Sequence, residues 1–273
     1  MKTDLDRRDF LCKSSSFLVG SFLGMSGVSN LFASEAKEKD SSFQPSIALI
    51  IDDIGFSSFL ARQFLELDLP ITFSILPRLS NSYDLAREIH DQGHEIMLHQ
   101  PMEPSNPSID PGPGALYVGY GAEKIATIME RNIAGIPHAI GVNNHMGSKF
   151  TQSQNEVKNF IAFIKKTGHL FIDSVTTRHS IAYETARNLE VNTACRNIFL
   201  DNHREEKAIL YQLSRLTTIA RTQGCAIGIG HPFPETARAI RRLLACPEFS
   251  DFSFVHISKL MCFTDTKKQS LHS

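Results

Sequence analysis

Short apolar runs, each ended by a polar turn, alternate along the chain with stretches in which apolar residues recur every three or four positions. SIALII (46–51) is the first run, and Leu60, Phe64 and Leu67 then mark one face of a helix. ITFSIL (71–76) is the second, ended by Pro77, and a helix through Leu85 and Ile89 stops at Gly93. HEIMLH (94–99) is the third. Helical spacing resumes at Ile125, Ile128, Met129, Ile133 and Ile136, and AIGV (139–142) is the fourth. Ser153 and Glu156 have the spacing of a capping box ahead of Val157, Phe160, Ile161 and Ile164, a helix ended by Gly168. HLFID is the fifth run, ETARNL a short helix, and the sixth run lies within VNTACRNIFLD. The longest helix is predicted over 205–222, with Ile209, Leu213, Leu216 and Ala220 inward and Gly224 as its stop. CAIGIG is the seventh run, 235–244 is helical, and FSFVHIS is the eighth.

Eight runs alternating with helices over about 220 residues predict parallel strands joined by helical crossovers. The class is α/β, and the size fits a (β/α) barrel, complete or distorted. An open doubly wound sheet is the structural competitor, but no G-x-G-x-x-G follows the first run, which leaves a dinucleotide-binding fold little support. Residues 101–121 break the rhythm with five prolines and four glycines. No helix survives such a stretch, and a loop of this length in a compact domain is usually functional or disordered. Its Tyr117 and Tyr120 suggest that it packs on something.

The first forty residues stand apart. Arg7-Arg8 precede Phe10-Leu11, Lys13 and a Ser/Gly-diluted apolar stretch to about Phe32, the layout of a twin-arginine export signal. Ala33 and Ser34 offer small residues for cleavage, and the Ser and Gly content makes an uncleaved membrane anchor weak. The expected organisation is a signal and linker over 1–40, a barrel domain over 44–263 and a disordered tail over 264–273, in an exported, periplasmic protein without a stable membrane span once the signal is cleaved. Net charge is −1 for the 273 residues, so no global basic field exists to hold nucleic acid. Cys195, Cys225, Cys246 and Cys262 show no C-x-x-C spacing, and buried, inert thiols are expected. No exposed heptad argues for a fixed oligomer.

Candidate chemistry follows the ends of the runs, because the reactive face of such a fold is the C-terminal rim of its strands. There stand Asp52 and Asp53, then His99 and Gln100, then Asn143 to Ser148, then Asp173 and Ser174, Asp201 and Asn202, and His231. Two adjacent acids after an apolar run are costly to bury unless a cation shares the site. A divalent ion facing these imidazoles would turn that cost into attraction. Each piece has an ordinary alternative. Asp53 could cap the helix starting near Ser57, His99 could be a satisfied core residue, Asn143 to Ser148 could be a turn, and Asp201 could cap the long helix. The coincidence at one rim is what favours a site.

The motifs IDDIGF, LPITFSILP, GHEIMLHQPMEP, NPSIDPGPGAL, GVNNHMGS, FIDSVTT and GIGHPFPET, in this order from Ser46 to Met261, resemble the divergent polysaccharide deacetylases. These are envelope-associated relatives of the chitooligosaccharide deacetylase superfamily. The resemblance implies a distorted (β/α) barrel and a metal-dependent hydrolase, with zinc the expected ion and an envelope polysaccharide or peptidoglycan-derived glycan the substrate. It implies Asp52 as general base, Asp53 as metal ligand and His231 as general acid. The superfamily takes two ligands from an H-x-x-x-H motif, whereas here Glu103 stands at the fourth place after His99. His99 with His145 is the preferred pair, and recruitment of His231 as a ligand is the other arrangement. Backbone N–H groups between Asn144 and Ser148 would hold an oxyanion, Asp173 and Asp201 would orient histidines, and Tyr117 would stack on a sugar. A non-catalytic glycan- or partner-binding envelope protein is the alternative function.

Overall fold

The computed structural model describes residues 44–261. The expected export signal, the C-terminal tail and Cys262 lie outside them. In chain order the elements are β1 (Ser46–Ile54), α1 (Ser58–Leu65), β2 (Ile71–Ile75), α2 (Ser82–Asp91), β3 (Glu95–Met102), α3 (Ala122–Ala134), β4 (Ala139–Met146), α4 (Gln154–Thr167), β5 (Leu170–Asp173), α5 (Ala182–Asn188), β6 (Thr193–Cys195), β7 (Ile198–Phe199), α6 (Glu206–Gln223), β8 (Cys225–Gly230), α7 (Pro234–Leu244) and β9 (Ser253–Phe254). The strands pair in parallel in the order β6-β5-β4-β3-β2-β1-β8-β7, with β9 on the start of β1.

The sixth apolar run resolves into two strands, β6 and β7, at opposite ends of this order, although only Arg196 and Asn197 separate them. The sheet must therefore curl until its edges nearly meet, which makes it a barrel open along one seam. Arg196 N–H bonds the Asp173 carbonyl (3.0 Å), extending the pairing with β5, and Asn197 N–H bonds the Ile227 carbonyl (2.9 Å), beginning the pairing with β8. The eighth run forms only the two-residue β9.

Strand periodicity sorts the core into two layers. Ala48, Ile50, Met97, Leu170, Ile172, Ile227 and Ile229 fill the barrel interior, while Ile47, Leu49, Ile51, Leu98 and Phe171 pack outward. The outer layer meets the apolar faces of the helices. In it Phe160 sits edge-on to Phe150 (6.3 Å) and Phe171 (5.5 Å). Helices α4 and α6 end at Gly168 (φ 73°) and Gly224 (φ 86°), left-handed positions that suit glycine. The expected capping box does not form. Ser153 makes no side-chain cap bond, and Glu156 Oε1 instead accepts the N–H of Gly119. The thiols also depart from expectation: Cys246 is exposed, and Cys195 and Cys225 are half-buried.

The Pro/Gly segment is ordered by its own polar groups. Met102 bridges Leu116, and Glu103 ties the segment down: its carboxylate accepts Val118 N–H (2.8 Å) and Lys149 Nζ (2.7 Å), and its carbonyl accepts the N–H groups of Lys149 and Phe150. Below it Asn132 Nδ2 bonds Gln100 Oε1 (2.7 Å) and the Gly114 carbonyl (2.9 Å), and Arg78 Nε bonds Asn132 Oδ1 (2.8 Å). Gly114 has φ 78°, and a Cβ there would lie 2.5 Å from Asn132 Oδ1. Glycine is thus required both by the turn and by the close approach.

Candidate metal and acid–base site

Strict alternation along β1 would send Asp52 inward with Ala48 and Ile50 and Asp53 outward to the helices. The strand breaks its own rule here. Ile51 pairs with Phe73 but Ile54 with Ile75, so one extra residue is inserted, and Asp53 takes φ 58°. This bulge brings both carboxylates to the barrel mouth. Asp53 does not cap α1, which is capped by Ser57 Oγ.

Three side chains from three strands then converge. His145 Nδ1 lies 2.8 Å and His99 Nε2 3.2 Å from Asp53 Oδ1, and the two ring nitrogens are 3.2 Å apart. His99 and His145 come from adjacent strands: His99 is in register with Asn143, and His145 with Pro101. The neighbouring strand thus supplies the second imidazole that an H-x-x-x-H motif would take from the same segment. Glu103, at the fourth place, serves the loop.

These distances fit a cation. A tetrahedral ion with ligand bonds of about 2.0–2.1 Å sets its donor atoms roughly 3.3 Å apart. Asp53 Oδ1 is buried and receives no directed hydrogen bond despite its two close nitrogens, as when lone pairs aim at a common point rather than at one another. The His99 tautomer agrees. Its Nδ1 is 2.7 Å from Asn143 Oδ1, and Asn143 Nδ2 donates to Asp52 Oδ1 (2.8 Å), so the amide oxygen is the acceptor and Nδ1 carries the proton. Nε2 is left bare to face Asp53. Asn143 Oδ1 also accepts the Ser74 hydroxyl. One buried amide therefore fixes Asp52 and His99 together, a role the sequence analysis missed. Its position two residues before His145, on the inward face of the same strand, was the available signal.

Asp52 and His231 flank this cluster. Asp52 is 2% exposed, with Oδ2 3.7 Å from His99 Nε2. Burial pushes its carboxyl up, against the pull of His99, His231 and Asn143. For Asp53, burial is overcome by the close approach and charge of His145 and His99, which hold the carboxyl well below the usual range. Burial disfavours a charged His99, but Asp52 and Asp53 outweigh it and raise its pKa. The pocket draws positive charge towards its two carboxylates.

His231 Nδ1 donates to Asp201 Oδ1 (2.8 Å), and its Nε2 is 3.9 Å from Asp53 Oδ2. Burial opposes the charged ring, but the Asp201 hydrogen bond and charge, with Asp52 and Asp53 beyond, push its pKa up to about 9. Asp201 Oδ2 accepts His231 N–H (2.6 Å) and Thr236 Oγ1–H (2.7 Å), so Asp201 serves the histidine and does not cap α6. The rings of Phe199 (6.0 Å) and Phe233 (5.6 Å) stack near-parallel to the imidazole, and Arg196 (3.7 Å) and Arg204 (3.8 Å) lie over those phenyl rings in turn.

Two expected residues sit elsewhere. Asp173 orients no histidine: it points outward with Phe171, and its Oδ2 accepts Ser180 Oγ–H (2.6 Å) and Tyr183 N–H (3.2 Å) at the start of α5. Tyr117 does not line the mouth cavity; it packs edge-on against Tyr120 (5.7 Å). Asn144 and Ser148 do line that cavity, of about 320 Å³, together with Asp52, His99, His145 and His231. Asn144 is also held by the backbone, bonding Met146 O and Ser174 N, and Ser148 Oγ accepts Ser105 N–H.

Sequence and fold together match a known class. The profile of the divergent polysaccharide deacetylases covers residues 49–261, and the chain belongs to that family. It is 31% identical over 199 residues to the uncharacterized protein YibQ of Escherichia coli, a match spanning 72% of this chain and 62% of the relative. Among solved structures, the uncharacterized protein ATU2773 of Agrobacterium tumefaciens superposes with a TM-score of 0.75 at 27% identity, over 80% of this chain and 89% of that one. A mutant of the Bacillus anthracis protein BA3943, a CE4 family pseudoenzyme with restored enzymatic activity, shares the fold at a TM-score of 0.51 and 15% identity, over 80% of this chain and 68% of that one. Among the described residues no helix is long and apolar enough to cross a membrane.

Proposed function

We propose that the chain is a metal-dependent hydrolase that removes N-acetyl or O-acetyl groups from an envelope polysaccharide or amino-sugar polymer. The carrying observation is the meeting, at the barrel mouth, of a three-donor cluster, a buried carboxylate and a histidine held by Asp201. Asp53, His99 and His145 would hold a divalent cation, with zinc suited to one carboxylate and two imidazoles. When bound, such an ion supplies Lewis acidity to the acyl carbonyl and to the attacking water. Asp52, oriented by Asn143, takes the proton of that water. His231 carries a proton at neutral pH, and its Nε2 gives it to the departing amine or hydroxyl. Backbone N–H groups of the turn after β4 would steady the developing oxyanion. Arg7-Arg8 ahead of the apolar leader support export to the periplasm, where such a polymer lies.

The test uses zinc-loaded protein and defined acetylated glycans. Asp53→Ala is expected to abolish zinc binding in calorimetry. Asp52→Asn is expected to keep zinc and lose acetate release by about 10²–10⁴-fold, the usual weight of a general base. Equal zinc content and equal activity in both variants would refute the assignment. Absence of acetate release from the wild type, with zinc bound, would leave a glycan-binding protein instead.

A further inference from the structure

Two cavities meet at the metal cluster. The mouth cavity holds Asp52 and His231, with polar edges at Asn144, Ser148 and Thr176 and apolar ones at Ile109 and Phe199. A second cavity of about 340 Å³ lies across Asp53, His145 and Met146, and neither Asp52 nor His231 lines it. Its walls are Phe56, Leu76, Leu79 and four prolines: Pro77, Pro101, Pro111 and Pro113. Proline has no backbone N–H, so this wall is poor in donors for sugar hydroxyls. The one acid besides Asp53, Asp110, turns its Oδ1 back to accept Gly112 N–H (2.9 Å). Phe56 stands at the lip with 69% of its surface in solvent, and Phe59 beside it is 72% exposed.

We propose that this second cavity is an acyl-chain pocket, and that the chain accepts acyl groups much longer than acetyl on an amino sugar. The inference rests on the hydrolase function proposed above and narrows its substrate. Hydrolysis breaks the amide C–N bond, joins the water oxygen to the acyl carbon and sends a proton to the leaving nitrogen. The proton donor, His231, lines only the mouth cavity, so the sugar amine belongs there. The acyl carbon sits at the cluster, and its chain must leave by the other side. The cavity on that side is apolar and far larger than an acetyl methyl needs: it has roughly twice the volume of an apolar cavity of about 150 Å³ that binds benzene. An acyl chain would also cover part of Phe56 at the lip.

The test compares N-acetyl-, N-butanoyl- and N-octanoylglucosamine on the full zinc-loaded chain, by calorimetric affinity and by release of the free acid. Each methylene buried is worth about 0.8 kcal/mol, or about fourfold in affinity. The octanoyl compound should therefore bind at least 100-fold more tightly than the acetyl one. Leu79→Trp, which fills the cavity, should bring octanoyl affinity down to that of acetyl and leave acetyl affinity unchanged. Phe56→Ala should weaken octanoyl binding alone and serves as the second variant if Leu79→Trp melts early. Octanoyl affinity no greater than acetyl in the wild type overturns the pocket, even where acetate release shows the hydrolase function to hold. Chain-length-dependent binding without release of any acid would establish the pocket and overturn the proposed turnover.

Discussion

Replacing Asp201 by asparagine tests whether this carboxylate sets the charge of His231. In the native chain the imidazole is pushed from 6.5 to about 9, and the two largest raising causes both come from Asp201. At about 1.36 kcal/mol per pKa unit, that rise is worth at most about 3 kcal/mol of folding stability, and less where solvent reaches the ring. The sign follows from linkage. The folded-state pKa lies above the unfolded one, so the contribution is complete below pH 6.5 and is lost as pH rises through about 9. Asp201→Asn removes that slope. It also faces an amide N–H towards the His231 N–H or the Thr236 hydroxyl, a pH-independent cost of about 1–3 kcal/mol. Urea unfolding of the metal-free protein at intervals between pH 6 and 10 separates the two: the gap between native and variant stability should narrow by about 2–3 kcal/mol as pH rises. In parallel the His231 ring proton should titrate by NMR near or below the ordinary histidine value in the variant, and the alkaline limb of acid release should move down with it. A stability gap constant across that range would refute the argument that Asp201 holds the proton.

Asn143→Leu strands the His99 Nδ1–H and one oxygen of Asp52 in a buried site, and zinc affinity in a competition titration should fall about 10–100-fold, as for other groups that orient metal ligands. Glu103→Ala removes the acceptor for Val118 N–H and Lys149 Nζ, so hydrogen exchange at the Val118 amide should accelerate while that in β1 stays slow. Phe160→Ala empties the space between Phe150 and Phe171, and chemical unfolding should show a loss of about 3–5 kcal/mol with zinc affinity unchanged.

Much of the fold was legible in the apolar runs, because a parallel strand buried on both faces must be apolar at nearly every position. The runs through 46–51, 71–75, 225–230 and their neighbours fall on strands of the sheet, and the helix stops at Gly168 and Gly224 fall where φ turns positive. What the runs could not show was side-chain parity at their ends. Taking the last polar residue of each run as mouth-facing brought Asp173 to the rim, yet Phe171 packs outward and Asp173 shares its face. The same parity would have pointed to Asn143, which shares the inward face with His145. Asp53 reached the mouth only through a bulge, and nothing in the composition of IDDIG announces the inserted residue. Tyr117 illustrates another limit. A loop rich in proline and glycine shows where helices end but not which surface its aromatics meet, since long-range ties such as those of Glu103 decide it.

The step between β6 and β7 has a mechanical consequence. Two residues span the place where the curled sheet fails to close, and Arg196 fastens it by donating from Nε to Ser174 O (2.7 Å) and from a terminal nitrogen to Val175 O (2.9 Å) while lying flat on Phe199. Asp201, Phe199 and His231 stand on one bank of this join, whereas His99 and His145 stand on strands anchored well within the other. β8, which leads to His231, is itself paired with β1 from Ser46 to Ile51, so His231 is tied to the strand that carries Asp53. The join therefore bears on how β7, with Asp201 and Phe199, stands against β5 and β6 more than on His231 itself.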